Sequence, residues 1–228
     1  GEGYTLHPGW MTYRDRCGVC KDIAGMSLVM FRALGYKAYP TMTMAGARVE
    51  EIPADQFNHC VVAVDISDEG IESDALPGTR WEMYDATWAP NSMDIWSRYE
   101  GDQHVVIGAP GGEQLMKIRA YDPEEVRLTI TSDAEIEEDG DLVGKLHLKG
   151  LGASDSRLRR LFAYQKGEEY IRNSISHYLT NIDPNAELVD YEGGDLSDYW
   201  NPFEITIEYR VPEYALSYGN SLHFPSPA

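Results

Sequence analysis

Arg16-Cys17-Gly18-Val19-Cys20-Lys21-Asp22-Ile23-Ala24-Gly25-Met26 is the stretch that decides how the chain is read. Apolar residues recur at Ile23, Met26, Met30 and Leu34, with Ala24, Leu28 and Phe31 beside them, three and four apart. That spacing predicts a largely buried helix over about 21–34, and Gly35 stands where a left-handed C-terminal cap belongs. Cys20 therefore lies at or just before the first turn. Unpaired backbone N–H groups and the positive end of the helix dipole favour a thiolate there. In such settings a cysteine pKa falls from about 8.5 to roughly 3.5–7.5.

Working outward, residues 1–15 carry Gly, Pro and Tyr without periodicity and read as a loop or extended lead-in. After the helix, Tyr36 to Met44 alternate as a strand, with Pro40 suggesting an edge or a bulge. Residues 45–55 read as a loop, Phe57 to Ile66 as a strong central strand, and the Asp/Glu/Gly/Pro-rich segment 67–79 as a turn. Arg80 to Trp88 is another strand, ended by Ala89-Pro90-Asn91; residues 91–120 are mixed, with a loop at 108–112. Beyond that, Val126, Leu128 and Ile130 alternate, Glu138-Asp139-Gly140-Asp141 signals a hairpin turn, and Leu142 to Leu148 return. Residues 155–180 pattern as two helices parted at Gly167. An acidic loop at 190–199, a strand from Ile205 to Val211 and an extended or disordered tail complete the chain. The expected fold is α+β: a helix bearing Cys20 packed on an antiparallel sheet within 1–120, then a smaller β-rich domain over 121–228.

The 228 residues carry a net charge of −19, from 38 acidic and 19 basic side chains. That balance disfavours a nucleic-acid partner or an anionic membrane surface. No apolar run of about 18 residues is present to span a membrane. Three cysteines make no disulfide framework, and their odd number leaves a free thiol. The acidic stretches 68–74 and 135–141 lack calcium-loop spacing and read as solvated turns.

Of the six histidines, His59 alone opens an apolar strand soon after the cysteine helix, which makes it the candidate base. Asp85 lies in an apolar context where an acid is costly to bury unless paired. If the two strands are neighbours, Asp85 holds the His59 tautomer and His59 takes the Cys20 proton. Cys17 and Cys20 also form a Cys-x-x-Cys pair. A redox motif of that kind wants a preceding strand in a βαβ unit, which is lacking. Zinc would need two more ligands, and on a strand His59 and Cys60 point to opposite faces. Cys17 reads as a packed neighbour and Cys60 as a core residue, with no metal and no cofactor expected.

Gly18-Val19-Cys20-Lys21-Asp22, with Leu34-Gly35-Tyr36-Lys37-Ala38 closing the helix, resembles the cysteine motif of the transglutaminase-like superfamily. Phe57-Asn58-His59 and Tyr84-Asp85-Ala86-Thr87-Trp88 resemble its histidine and aspartate motifs, in the same order, so the likeness covers about residues 14–90. More loosely, Asp139-Gly140 and the run from Gly150 to Arg159 look like the C-terminal β-domain of large bacterial members. The resemblance implies a papain-like Cys20-His59-Asp85 triad that performs thiol acyl transfer without cofactor on a peptide or protein substrate. Water is the acceptor it favours, giving protease- or amidase-like hydrolysis. The oxyanion would be held by the Cys20 N–H and one upstream donor, with Trp10 and Tyr13 as candidates. The resemblance also implies a periplasmic, cell-envelope or secreted parent protein. Only 19 residues precede Cys20, without the helices and β-domain such cores usually carry upstream, which implies a fragment of a longer chain. The competing expectation is a non-catalytic module that binds a peptide or glycan on the same fold.

Overall fold

The computed structural model describes residues 5–47, 56–88, 95–97, 99–112, 115–163 and 167–225. Most of the expected 45–55 loop and the strand end at 89–91 lie outside the described residues. The fold is mixed helix and sheet, with antiparallel sheets, in two compact units that meet in sequence at Asp122 and Pro123.

In the first unit, α1 (Gly9–Asp15) packs on α2 (Cys20–Ala33). The end of α2 follows from its sequence. Gly35 has φ +94°, Gly35 N–H donates to Arg32 O and Tyr36 N–H to Phe31 O, both at 3.1 Å. This is a Schellman closure, and the Phe31 and Tyr36 rings meet across it at 6.2 Å. The sheet has the order β3-β2-β1-β4-β5, from β1 (Ala38–Thr43), β2 (His59–Asp65), β3 (Trp81–Tyr84), β4 (His104–Ile107) and β5 (Met116–Lys117). Alternation along β2 feeds two cores. Val62 and Val64 pack with Ala24, Leu28 and Phe31 of α2. Val61 and Ala63 pack on the other face with Leu76, Trp81, Met83 and Ile107. Both faces are covered, so β2 reads as a continuous apolar run rather than an alternating one.

Three expectations need correction here. Residues 9–15 are helical rather than a loop; two turns are too short to show a 3.6-residue period, and contact with α2 supplies the missing stability. Pro40 lies in an interior strand, between β2 and β4. Its carbonyl accepts Gly108 N–H at 2.8 Å, and the N and O of one strand residue point the same way. The missing proline donor therefore faces Gly108, just past the end of β4, so that pair keeps one of its two bonds and the pairing with β2 is untouched. Finally, β3 ends at Tyr84, so Asp85 stands just beyond the strand rather than within it.

The second unit is an antiparallel sheet of order β6-β7-β9-β8: β6 (Leu128–Ile136), β7 (Leu142–Gly150), β8 (Glu187–Gly193) and β9 (Glu204–Val211). Helices α3 (Ala153–Ala163) and α4 (Glu168–Leu179) cover it, with Leu158, Phe162, Ile175 and Leu179 packing on Leu146, Leu148, Ile205 and Ile207. The strand β8 occupies part of the expected acidic loop, and a small hairpin of β10 (Leu216–Tyr218) and β11 (Ser221–His223) occupies most of the expected loose tail. Among the described residues no helix is long and apolar enough to cross a membrane.

Candidate functional site

The start of α2 is built from its own sequence outward. Val19, the N-cap, has no acceptor in its side chain, so the orphan donors are met from elsewhere. Asp22, one turn in, accepts the Val19 N–H at 3.3 Å and the His7 N–H at 3.0 Å, while His7 Nδ1 lies 3.1 Å from the same carboxylate. Burial alone would raise Asp22; the hydrogen bonds from His7 and Val19 and the Lys21 charge outweigh it and hold it at about 2. Lys21 Nζ donates to the Thr5 carbonyl. Asp22 and Lys21 thus tie residues 5–7 across the helix start, where Leu6 and His7 become a wall of the cavity beside Cys20. That cavity measures about 940 Å³ and is walled mainly by apolar residues, among them Met11, Leu28, Pro40, Met42 and Phe57. Trp10 and Tyr13, the upstream oxyanion candidates, are 61% and 73% exposed and are not among its lining residues.

Cys20, His59 and Asp85 come together. His59 Nε2 lies 2.9 Å from Asp85 Oδ2, with side chains 3% and 1% exposed. With Nε2 given to Asp85, Nδ1 is the nitrogen left for the thiol. The Cys20 pKa is lowered, first by its hydrogen bond with the His59 side chain; burial opposes this, and the backbone N–H groups of Cys60 and Lys21 add to it. Burial pulls His59 down, but the hydrogen bonds to Asp85 and Cys20, with the charge of Asp85, lift it to about 9. The two shifts run in opposite directions, and each favours a proton on the imidazole over one on the sulfur. Asp85 also does what a turn-capping acid does: its Oδ1 accepts the Thr87 N–H at 2.8 Å. One oxygen fixes the turn, and that aims the other at the imidazole.

The other cysteines separate cleanly. Cys17 is exposed on the cavity rim. Cys60 packs beside Val62 and Ala38, and burial together with the Cys20 charge pushes its thiol up to about 11. It stays a neutral thiol where Cys20 ionises.

Four further residues complete the surroundings. Trp88 tilts against the His59 ring, centroids 5.1 Å apart. Glu100 is 0% exposed, with Oε1 3.8 Å from His59 Nε2. Ser97 Oγ lies between the acids, 3.4 Å from Asp85 Oδ2 and in contact with Glu100 Oε2. Tyr121 donates its hydroxyl to the Ser97 carbonyl at 2.5 Å. Ser97, Glu100 and Tyr121 escape sequence reading because the mixed segment 91–120 has no period to mark an inward face. Trp88 stands in the aspartate motif, but nothing local assigns it to the imidazole. The donor atoms of His59, Asp85 and Glu100 all lie within 4.8 Å of one another, a spacing a divalent ion could bridge. The 2.9 Å His59–Asp85 separation is a hydrogen-bond distance, and a shared proton accounts for it.

Two opposed slopes with pH follow. His59, raised from 6.5 to about 9, contributes stability that is full below 6.5 and lost as pH rises through 9. Cys20, lowered from near 9, contributes stability that is full above that value and lost as pH falls through its folded value. Where Cys20 has ionised, folded and unfolded chains each hold one proton on this pair and the slopes cancel. Cys20→Ala removes one slope, so above pH 6.5 its stability, relative to the unsubstituted protein, should fall by about 1 kcal/mol per pH unit up to the variant's own His59 value, which lies below 9 because the Cys20 hydrogen bond is gone. Urea unfolding at several pH values measures this; parallel curves for the two proteins would refute a protonated His59.

No known family profile matches the chain, and neither a curated protein nor a solved structure does.

Proposed function

We propose that the chain is a thiol acyl-transfer enzyme of transglutaminase-like type, most concretely a hydrolase of peptide or carboxamide bonds. The observation that carries this is the convergence of Cys20, His59 and Asp85, at the edge of an apolar cavity, with Cys20 shifted toward the thiolate and His59 toward the imidazolium. A packed structural cysteine needs none of this; Cys60 shows what one looks like here.

The steps follow from the geometry. The Cys20 thiolate attacks the carbonyl carbon, and the negative charge passes to the carbonyl oxygen. The Cys20 N–H, at the open start of α2, is the donor best placed to meet that oxyanion. His59 then gives its Nδ1 proton to the leaving nitrogen as the C–N bond breaks, and a thioester on Cys20 remains. Water enters, His59 takes its proton, and the acid product departs with the thiolate restored. Asp85 keeps Nε2 protonated throughout, so that Nδ1 is always the nitrogen that exchanges protons with sulfur and substrate. Work in the cell envelope is a further proposal, resting on the resemblance alone.

Cys20→Ala separates this from a binding module. The expected result, read with a library of amide and peptide substrates, is loss of turnover by at least about 10³-fold with retained binding. Turnover that survives the substitution would sink the proposal; absence of turnover in the unsubstituted protein, with ligand binding equal in both, would favour the binding module.

A further inference from the structure

Glu100 is the group in this site for which the triad has no use. A wholly buried carboxyl group is costly unless it is neutral or well partnered. Its partners are polar but mostly uncharged. Oε1 accepts the Trp88 indole N–H at 3.4 Å, and Oε2 contacts Ser97 Oγ. Ser97 Oγ reaches Asp85 Oδ2 at 3.4 Å, the oxygen that also meets His59 Nε2 at 2.9 Å.

The serine has one proton and two carboxyl groups beside it. If both acids were ionised, it could serve only one, and two negative charges would press on one imidazolium. We propose that Glu100 is a positioning residue that works as a carboxylic acid, donating from Oε2 to Ser97 Oγ so that the Ser97 hydroxyl donates to Asp85 Oδ2. Every oxygen in that chain then has a consistent role: Glu100 donates, Ser97 accepts and donates, and Asp85 accepts from Ser97 and His59 together. Burial pushes Glu100 up, and the nearby Asp85 charge pushes the same way. Among the described residues, the titratable groups facing it are His59 on β2, Asp85 after β3 and Tyr121 after β5. This inference rests on the acyl-transfer reading, because Glu100 acts on Cys20 only through Asp85 and His59.

The device has a pH sense. When Glu100 loses its proton, the Ser97 hydroxyl turns to Glu100 and Asp85 loses a donor. A second negative charge then binds the His59 proton more tightly, making it a poorer acid toward a leaving amine.

Two readouts test this: the His59 titration by ring-nitrogen NMR, and the rate of Cys20 alkylation by iodoacetamide. Glu100→Gln carries no charge, just as a protonated Glu100 carries none, and should leave the His59 value and the alkylation rate at pH 6 nearly unchanged; loss of an ionised Glu100 would instead lower the His59 value by about one unit, tenfold in proton affinity. Glu100→Ala should break the link to Ser97, slowing alkylation at pH 6 about tenfold; glutamine, whose amide still donates to Ser97, recovers most of that loss. A His59 value lowered by about a unit in Glu100→Gln, or equal rates in the two variants, overturns the proposal. Should Glu100→Ala not fold, Ser97→Ala takes its place and is expected to show the same slowing; a rate equal to that of the unsubstituted protein overturns the proposal. If Cys20 in the unsubstituted protein reacts no faster than a free thiol, the acyl-transfer reading itself fails. If it is fast and Glu100→Ala leaves its rate unmoved, only this inference falls.

Discussion

Replacing His59 by alanine should slow iodoacetamide alkylation of Cys20 at pH 6 by roughly tenfold. At that pH a thiol of pKa about 8.5 is only about 0.3% ionised, whereas a thiolate paired with imidazolium is largely ionised. The gain of several hundred in thiolate is partly offset, because a less basic sulfur is a weaker nucleophile, with a Brønsted slope of about 0.4–0.5. His59 is the first cause of the lowered Cys20 pKa, and burial works against it. Without the imidazole, the remaining donors are the Cys60 and Lys21 N–H groups. Asp85→Asn should fall between the two proteins, since an amide can still meet Nε2 but no longer supplies charge. Equal alkylation rates in His59→Ala and the unsubstituted protein, both folded by circular dichroism, would show that the thiol and imidazole are not coupled.

The second large effect lies in the other unit and concerns stability alone. Arg159→Ala should cost about 3–5 kcal/mol, because it strands a buried acid. Arg159 and Asp155 are 1% and 0% exposed, with Nε 2.7 Å from Oδ2. The rest of the guanidinium closes the loop before β9, donating to the Leu196, Asp198 and Asn201 carbonyls at 3.0, 2.9 and 2.8 Å. The other Asp155 oxygen accepts the Phe203 N–H at 2.6 Å. Gly150 permits this closeness, since a Cβ there would lie 2.5 Å from the Asp155 nitrogen. At about 4 °C or more per kcal/mol for a unit of this size, the melting transition should drop by at least about 12 °C. Lysine should rescue little, because a single ammonium cannot serve a carboxylate and three carbonyls in one plane. A loss under about 1 kcal/mol, read by denaturant titration, would mean that water replaces the clamp at small cost.

Both results bear on what could be read from residues in order. Helix α2 was legible because its ladder and its Gly35 closure are local, made between residues three to five apart. The long hairpin of β6 and β7 was legible for the same reason, its turn residues standing between alternating runs. The short strands β4 and β5 and the helix α1 were not, because two to seven residues are too few to display a period. Arg159 shows the limit from another side: charged residues on a helix read as a solvated face, and only a loop some 40 positions later makes this one the centre of a core.

For the candidate site, the residue types and their order along the chain were determined by the sequence: a thiol at a helix start, a histidine opening an apolar strand, an acid in an apolar context. Their relation to one another was decided only by tertiary structure. Antiparallel pairing of β2 with β3 sets His59 against an acid 26 residues away, and the turn beyond β3 aims it. The fold then closes Ser97 and Glu100 over that pair from a segment without pattern. The physical reason is one of range. Periodicity reports the hydrogen bonds a residue makes with its near neighbours in the chain, whereas the proton's place depends on burial and on charges within about 4 Å, whatever their separation in sequence.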